Sequence, residues 1–225
     1  MLRSVGDLQD EKRSETLWSE IQSLLGEVGK TINDLSLFGV CTGPGGFTGL
    51  RVGISAVKGL SVATDKPIIG VTSLEASAVA AEVVGLVYVL VNAYKDEVYS
   101  QLFSFDGDGL PQSENEPIVS NYQEALKRVS DVDEMILAGD AVGPGMDTIG
   151  DFVTTHQKGK WVVNKTSHQL AVAIARVAYV KHSRTDFDTA KTLKACYVRP
   201  SEAEIKLSLG LLGSKIKRSM RPEQS

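Results

Sequence analysis

Short apolar runs alternate with amphipathic segments along the first third of the chain. The runs have the length of buried strands, and the segments repeat apolar residues every three or four positions, as helices do. In chain order, the pattern predicts a helix at residues 14–28, a strand at 37–41, a helix at 49–63, a strand at 68–71 and a helix at 74–83. Such alternation is typical of an α/β layer with parallel strands.

The pattern changes at about residue 84, where we place a domain boundary. An apolar run and an alternating segment predict a β-hairpin there, and less regular elements follow. The predicted elements are strands at 86–91 and 97–105, a helix at 121–129, a strand at 135–138, a glycine-bearing strand exit at 139–145 and a helix at 167–182. We therefore expect subdomains at residues 1–83 and 84–204, and the basic, polar residues 205–225 predict a disordered tail.

The helix predicted at residues 49–63 is rich in small residues. Gly49, Gly53 and Ala56 lie on one side of it, beside larger apolar residues. A glycine inside a helix costs about 1 kcal/mol relative to alanine, so we expect another backbone to approach this side closely. The polar residues of this helix form only a narrow stripe. Such a helix is either buried between other elements of the core or covered by a partner.

Glycines also cluster before this helix, at Gly43, Gly45 and Gly46. A glycine loop between a strand and a helix can bind phosphate, because backbone N–H groups and the helix dipole converge there. The Walker A motif is absent, since no lysine follows Gly49, and Thr48 replaces the last glycine of the dinucleotide fingerprint. A weak anion site at Gly43, Gly45, Gly46 and Thr48 stays open, but we prefer a tight turn that packs the helix on its strand.

Composition argues against several classes of protein. The net charge of −4 and the pI of about 5.5 argue against a chain that grips nucleic acid alone. No apolar run could span a bilayer and the first residues do not resemble a signal peptide, so we expect a cytoplasmic protein without a membrane partner. Cys41 and Cys196 make no disulfide framework.

Candidate catalytic groups are few. The histidines, His156, His168 and His182, lack the spacing of metal ligands, and no nucleophile elbow is present. We interpret Glu75 as a solvated carboxylate, and we favour a core position for Trp18, at the edge of the first helix's apolar stripe, with a partner contact as the alternative. The residues therefore predict no catalytic group, no metal site and no cofactor of the chain's own.

Four segments resemble the bacterial TsaB (YeaZ) family and occur in the family's order. The main segment is GPGGFTGLRVGISAVKGLSVA, followed by PIIGVTSLEA at residues 67–76. The others are SETL at residues 14–17, EVY at 97–99 and YVRPSEAE at 197–204. The resemblance implies an α/β, actin-like fold of the hsp70/hexokinase and ribonuclease-H-like type, with two related subdomains.

The resemblance also implies a function. TsaB is a non-catalytic subunit of the complex that forms N6-threonylcarbamoyladenosine at position 37 of tRNAs reading ANN codons. Its partners are TsaD, the catalyst that it activates, and TsaE, an ATPase, so ATP and metal are expected on the partners. Contact with tRNA is expected only through the complex, and a homodimer is possible when TsaD is absent.

Two helices are the expected interface with TsaD. Their apolar and small residues would form a helical bundle with the partner. The expected interface residues are Leu17, Trp18, Ile21 and Leu25 on the first helix and Gly49, Leu50, Gly53, Ile54, Ala56 and Val57 on the second.

The sequence departs from the family at its start. Residues 1–13 contain no hairpin with the family's Asp-Thr pair, so we expect an N-terminally truncated first subdomain. The cause is either a misassigned start codon or a real truncation. The strand at residues 37–41 would then have an unpaired edge. Two alternatives stay open: a nucleotide-binding or phosphotransfer enzyme of the actin-like class, which the glycine loop favours, and a glycoprotease.

Overall fold

The computed structural model describes residues 13–106, 110–157, 160–164 and 170–198, with side chains from residue 17 onward. The predicted tail, His168 and most of the YVRPSEAE segment lie outside these residues. Within this described part, no helix is both long and apolar enough to cross a membrane.

The described residues form six helices, one 3-10 turn and eight strands. The helices are α1 (Arg13–Glu27), α2 (Phe47–Thr64), α3 (Ser73–Ala80), α4 (Tyr122–Lys127), α5 (Met146–Thr155) and α6 (Leu170–Ser183), with a 3-10 turn at Ile32–Asp34. The strands are β1 (Phe38–Gly43), β2 (Ile68–Thr72), β3 (Gly85–Asn92), β4 (Glu97–Phe105), β5 (Gln112–Ser113), β6 (Ile118–Asn121), β7 (Glu134–Ala138) and β8 (Lys160–Val163). Most predicted elements are confirmed, whereas β5, β6, α5 and β8 were not predicted.

The first layer is a two-stranded parallel sheet of β1 and β2. On one face, Val40 and Ile68 pack with Ile54 of α2. On the other face, β1 approaches α6 so closely that a Cβ added at Gly39 would lie 3.0 Å from the Ala178 Cβ. Among the described strands, β1 pairs only with β2. Residues 1–12 lie outside the described residues, so the unpaired strand edge and the truncated first subdomain stay predictions.

The second layer is a mixed sheet with strand order β5-β4-β3-β7-β8, and β6 also pairs with β4. The antiparallel pair of β3 and β4 confirms the predicted hairpin, while β7 runs parallel to both β3 and β8. Tyr88 is fully buried and donates a hydrogen bond to the Ala125 carbonyl oxygen over 2.8 Å. The core of this layer therefore binds α4 to the sheet through a polar as well as an apolar contact.

The turn after β7 requires glycine. Gly139 has φ +108°, and a Cβ added there would overlap the carbonyl oxygen of Leu90 on β3. Gly150, inside α5, has no atom within 4 Å of an added Cβ. The two glycines therefore offer opposite tests of the same substitution.

We expect Gly139→Ala to lower the free energy of unfolding by more than about 2 kcal/mol, because it adds both backbone strain and overlap. Gly150→Ala should be neutral or stabilise by up to about 1 kcal/mol, because alanine is the better helix residue. Urea unfolding followed by circular dichroism measures both. A Gly139→Ala variant as stable as the Gly150→Ala control would contradict the geometry of this turn.

Candidate functional site

The glycine loop between β1 and α2 begins with a crowded turn. Gly43 has φ +96°, and a Cβ added there would lie 2.8 Å from Leu50 Cδ1 and 3.1 Å from the Cys196 carbonyl oxygen. The Gly43–Pro44 peptide is cis, and Ser73 Oγ donates to the Pro44 carbonyl oxygen over 2.6 Å. The tight turn that packs α2 on its strand is confirmed.

The next two glycines are in a different environment. Neither Gly45 nor Gly46 has an atom within 4 Å of an added Cβ. Gly46 is the N-cap of α2, without a side-chain cap, and its carbonyl accepts from Leu50 N over 3.0 Å. Thr48 is exposed, whereas Gly43 is buried. Phosphate binding at Gly43, Gly45, Gly46 and Thr48 stays a prediction.

One side of α2 packs into the core and another stays open. Ile54 is only 7% exposed and packs with Val40, Ile68 and Leu193, so its assignment to a partner interface is corrected. Leu50 reaches Gly43, and Val57 packs against the same core cluster. Leu50 and Val57 are half-buried, so their place in a partner interface stays a prediction.

The open side is the glycine flank, which we define as Gly49, Gly53 and Ala56. No atom lies within 4 Å of a Cβ added at Gly49 or Gly53. The prediction that another backbone of this chain approaches these glycines is therefore wrong within the described residues. The extensive contacts of α2 are with β1 and β2.

The first helix, α1, offers an apolar stripe that is only partly covered. Leu17, Ile21 and Leu25 are half-buried, and Trp18 is 47% exposed. The interpretation of Trp18 as a core residue is therefore wrong in this chain. A large aromatic side chain with one face in water is typical of a contact residue.

A third group of residues was missed by the sequence analysis. Phe47, Arg51 and Tyr197 meet beside the first turns of α2: the Arg51 guanidinium carbon lies 3.7 Å from the Phe47 ring centroid, and the two rings are 5.3 Å apart. Arg51 Nε also donates to Tyr197 Oη over 3.4 Å. The sequence offered one signal for this contact, because Arg51 and Tyr197 both lie in segments that resemble the same family.

Two other candidate groups, Glu75 and His156, make contacts within the fold. Lys181 Nζ lies 2.9 Å from Glu75 Oε2, and the side chains are 19% and 13% exposed, so Glu75 is not the solvated carboxylate that the sequence suggests. His156 lies on the surface and stacks on Phe152 with a centroid distance of 4.0 Å. In the ranges that the structure describes, no three His, Cys, Asp or Glu residues form a metal-binding group.

The two thiols lie next to β1. Burial raises the pKa of the Cys41 thiol, and it also raises the pKa of the Cys196 thiol. Both cysteines are free, and Cys196 N donates to the Thr42 carbonyl oxygen over 2.7 Å. A raised pKa lowers the thiolate fraction, so neither residue has the environment of an activated nucleophile.

A comparison with protein families gives a match over about half of the chain. The model described as "TsaD: tRNA N6-adenosine threonylcarbamoyltransferase" matches residues 7–120. This range contains α1, the glycine loop, α2 and the β3–β4 hairpin.

Curated relatives match a shorter part. TsaB of Bacillus subtilis, a tRNA threonylcarbamoyladenosine biosynthesis protein, is 32% identical over 110 residues, 48% of each chain. A tRNA N6-adenosine threonylcarbamoyltransferase of Solidesulfovibrio magneticus is 38% identical over 79 residues, 35% of this chain and 21% of that protein. The chain thus spans about half the length of the first relative and about a fifth of the second.

Solved structures match over most of the chain. YeaZ from Pseudomonas aeruginosa has a TM-score of 0.66 at 20% identity, covering 85% of this chain and 86% of its own. A Pseudomonas aeruginosa protein with similarity to peptidase YeaZ has the same TM-score at 21% identity, covering 82% of this chain and 83% of its own. The predicted α/β, actin-like fold class is confirmed.

At pH 8, we expect iodoacetamide to alkylate both thiols at least about tenfold more slowly in the folded protein than in the protein unfolded in urea. Because their folded pKa values are raised, the unfolded state ionises first, so their contribution to stability is lost as pH rises past the free-thiol pKa of about 8.5. Mass spectrometry of tryptic peptides measures each rate. Rapid alkylation of folded Cys41 would instead reveal an activated thiol.

Proposed function

The chain belongs to the family that the model "TsaD: tRNA N6-adenosine threonylcarbamoyltransferase" describes, and it is similar to TsaB and YeaZ proteins; we propose that it acts in the biosynthesis of threonylcarbamoyladenosine in tRNA. Its role is that of a non-catalytic subunit in the cytoplasm, which pairs with a TsaD protein and activates it. TsaE completes the complex and, with TsaD, supplies ATP and metal chemistry. The modified position is adenosine 37 of tRNAs reading ANN codons.

The observation that carries the proposal is the open glycine flank of α2. A helix with small residues at four- and three-residue spacing lets a second helix approach at short distance, since no bulky side chain keeps the backbones apart. Gly49 and Gly53 have free space above them, and Trp18 adds an exposed aromatic side chain on α1. These features fit a helical partner better than a small ligand.

The chemistry of the described residues supports an accessory role. The half-buried Glu75 is held by Lys181, and burial raises the pKa of both thiols. A glycoprotease would need a metal or an activated nucleophile, and a phosphotransfer enzyme would need more than the uncapped N-terminus of α2. Neither alternative has an observation that favours it over the accessory role.

A bulky side chain introduced at the glycine flank would fill its open space. We expect Gly53→Trp to abolish co-purification with the TsaD protein, because an indole would occupy the space of the partner backbone, while the fold is kept. Gly53→Ala should raise the free energy of unfolding by about 0.5–1 kcal/mol through helix propensity. Circular dichroism and urea unfolding check the fold of each variant, and Gly150→Trp, on exposed α5, is the matched control.

Pairing of Gly53→Trp at the level of the Gly150→Trp control would show that the glycine flank is not the interface. The family assignment would stand in that case, and only the placement of the partner would change.

Reconstitution tests the function itself. With TsaD, TsaE, the enzyme that supplies threonylcarbamoyl-adenylate, ATP and an in vitro transcribed tRNA, we expect modified nucleoside only when this chain is added. Liquid chromatography of nucleoside digests with mass spectrometry detects the product. An equal yield without the chain would defeat the proposal, and Gly53→Trp should reduce the yield as much as omission does.

A further inference from the structure

Positive charge is concentrated on one side of α2, although the whole chain carries a net charge of −4. Helix α2 contains Arg51 and Lys58 and no acidic residue. Residues 189–197 contain Lys191 and Lys194 and likewise no acidic residue, and the carboxylate just before them, Asp188, accepts hydrogen bonds from Gly70 N and Thr192 Oγ1. The acidic average of the sequence therefore hides a local basic surface.

Packing brings these two segments side by side. Leu193 is 2% exposed and packs in one cluster with Ile54 of α2, and Ala190 and Ala195 lie against the same cluster as Val57. Tyr197 then reaches Arg51 at the start of the helix. The segment thus follows α2 along its length, with Lys191 and Lys194 exposed beside it.

Two aromatic rings stand among these cations. Phe47 is 38% exposed and Tyr197 is 47% exposed. None of the four cations has a carboxylate partner among the ion pairs of the described residues. We define the basic aromatic surface as Phe47, Arg51, Lys58, Lys191, Lys194 and Tyr197.

We propose that the basic aromatic surface binds RNA, with its cations on the phosphodiester backbone and an unstacked base on the exposed face of Tyr197 or Phe47. Exposed rings beside unpaired cations are the pattern by which proteins hold single-stranded loops, because every base has a π-face and every nucleotide a negative charge. An acidic protein would use the cations but would leave the rings without a specific role. The inference rests on the proposed function, in which the RNA is tRNA.

The surface is placed so that a protein partner and RNA can bind together. At about 100° per residue, Gly49 and Arg51 lie about 160° apart around the helix. The glycine flank and the basic aromatic surface therefore face opposite ways.

The test measures binding of fluorescein-labelled, in vitro transcribed tRNA to the full chain by anisotropy at several salt concentrations, alone and with the TsaD protein. We expect Arg51→Gln and Lys194→Gln each to weaken binding and to lower the slope of log affinity against log salt by about 1. Tyr197→Ala should weaken binding about tenfold, whereas Tyr197→Phe, which keeps the ring, should bind as the native chain does. Lys127→Gln on exposed α4 has the same net charge and is the control.

Two outcomes would overturn the inference. In the first, the Arg51, Lys194 and Tyr197 variants keep the affinity and salt slope of Lys127→Gln. In the second, they lose co-purification with the TsaD protein in the absence of RNA while RNA affinity is unchanged, which would make the surface a protein-docking site. Gly53→Trp separates the two proposals, since it should lose TsaD pairing and keep the RNA affinity of the chain alone.

Discussion

The close packing around Gly43 is the constraint on which the rest of this structure depends. A left-handed glycine, crowded by Leu50 and by the Cys196 carbonyl, turns the chain directly from β1 into α2. Ser73, at the start of α3, holds the same turn through the Pro44 carbonyl. Three elements distant in sequence therefore meet at one residue without a Cβ, and the direction of α2 follows from it.

Once α2 is fixed, its two exposed sides acquire different characters. The apolar side chains that follow Gly43, above all Ile54, bind the helix to β1 and β2 and to residues 190–195. The glycine flank is left without intrachain contacts, and the side next to Tyr197 carries cations and aromatic rings. The same helix can thus offer a surface for close backbone packing and a charged surface without any change in its fold.

The local sequence pattern was sufficient to predict those helices and strands whose own residues show apolar runs or helical spacing. The strands before and after α2 are short apolar runs, and α2 itself repeats small and apolar residues at helical spacing. Helix α5 and strand β8 were missed because β8 is only four residues long and α5 follows a glycine-rich turn without a capping side chain. Trp18 was misjudged because helical spacing places a residue on a stripe but does not say whether another element covers that stripe.

The meeting of Arg51 with Tyr197 could not be predicted in this way, since 146 residues separate them. It depends on the path of residues 189–197 across α2, which no local periodicity encodes. Net charge likewise does not describe a local surface, because a polyanion responds to the charges within about a Debye length and not to the average over a chain.

The open glycines of α2 also carry an energetic argument. Gly49, Gly53 and Gly59 each weaken the helix by about 1 kcal/mol relative to alanine, and none of them gains a close contact within the described residues. A cost of this size is a substantial part of the 5–15 kcal/mol that typically separates folded from unfolded states. Alanine at all three positions would fit the available space, so the isolated chain is less stable than its own backbone allows. Nothing in the described part of the chain offsets this cost, whereas the proposed approach of a partner backbone to α2 would do so.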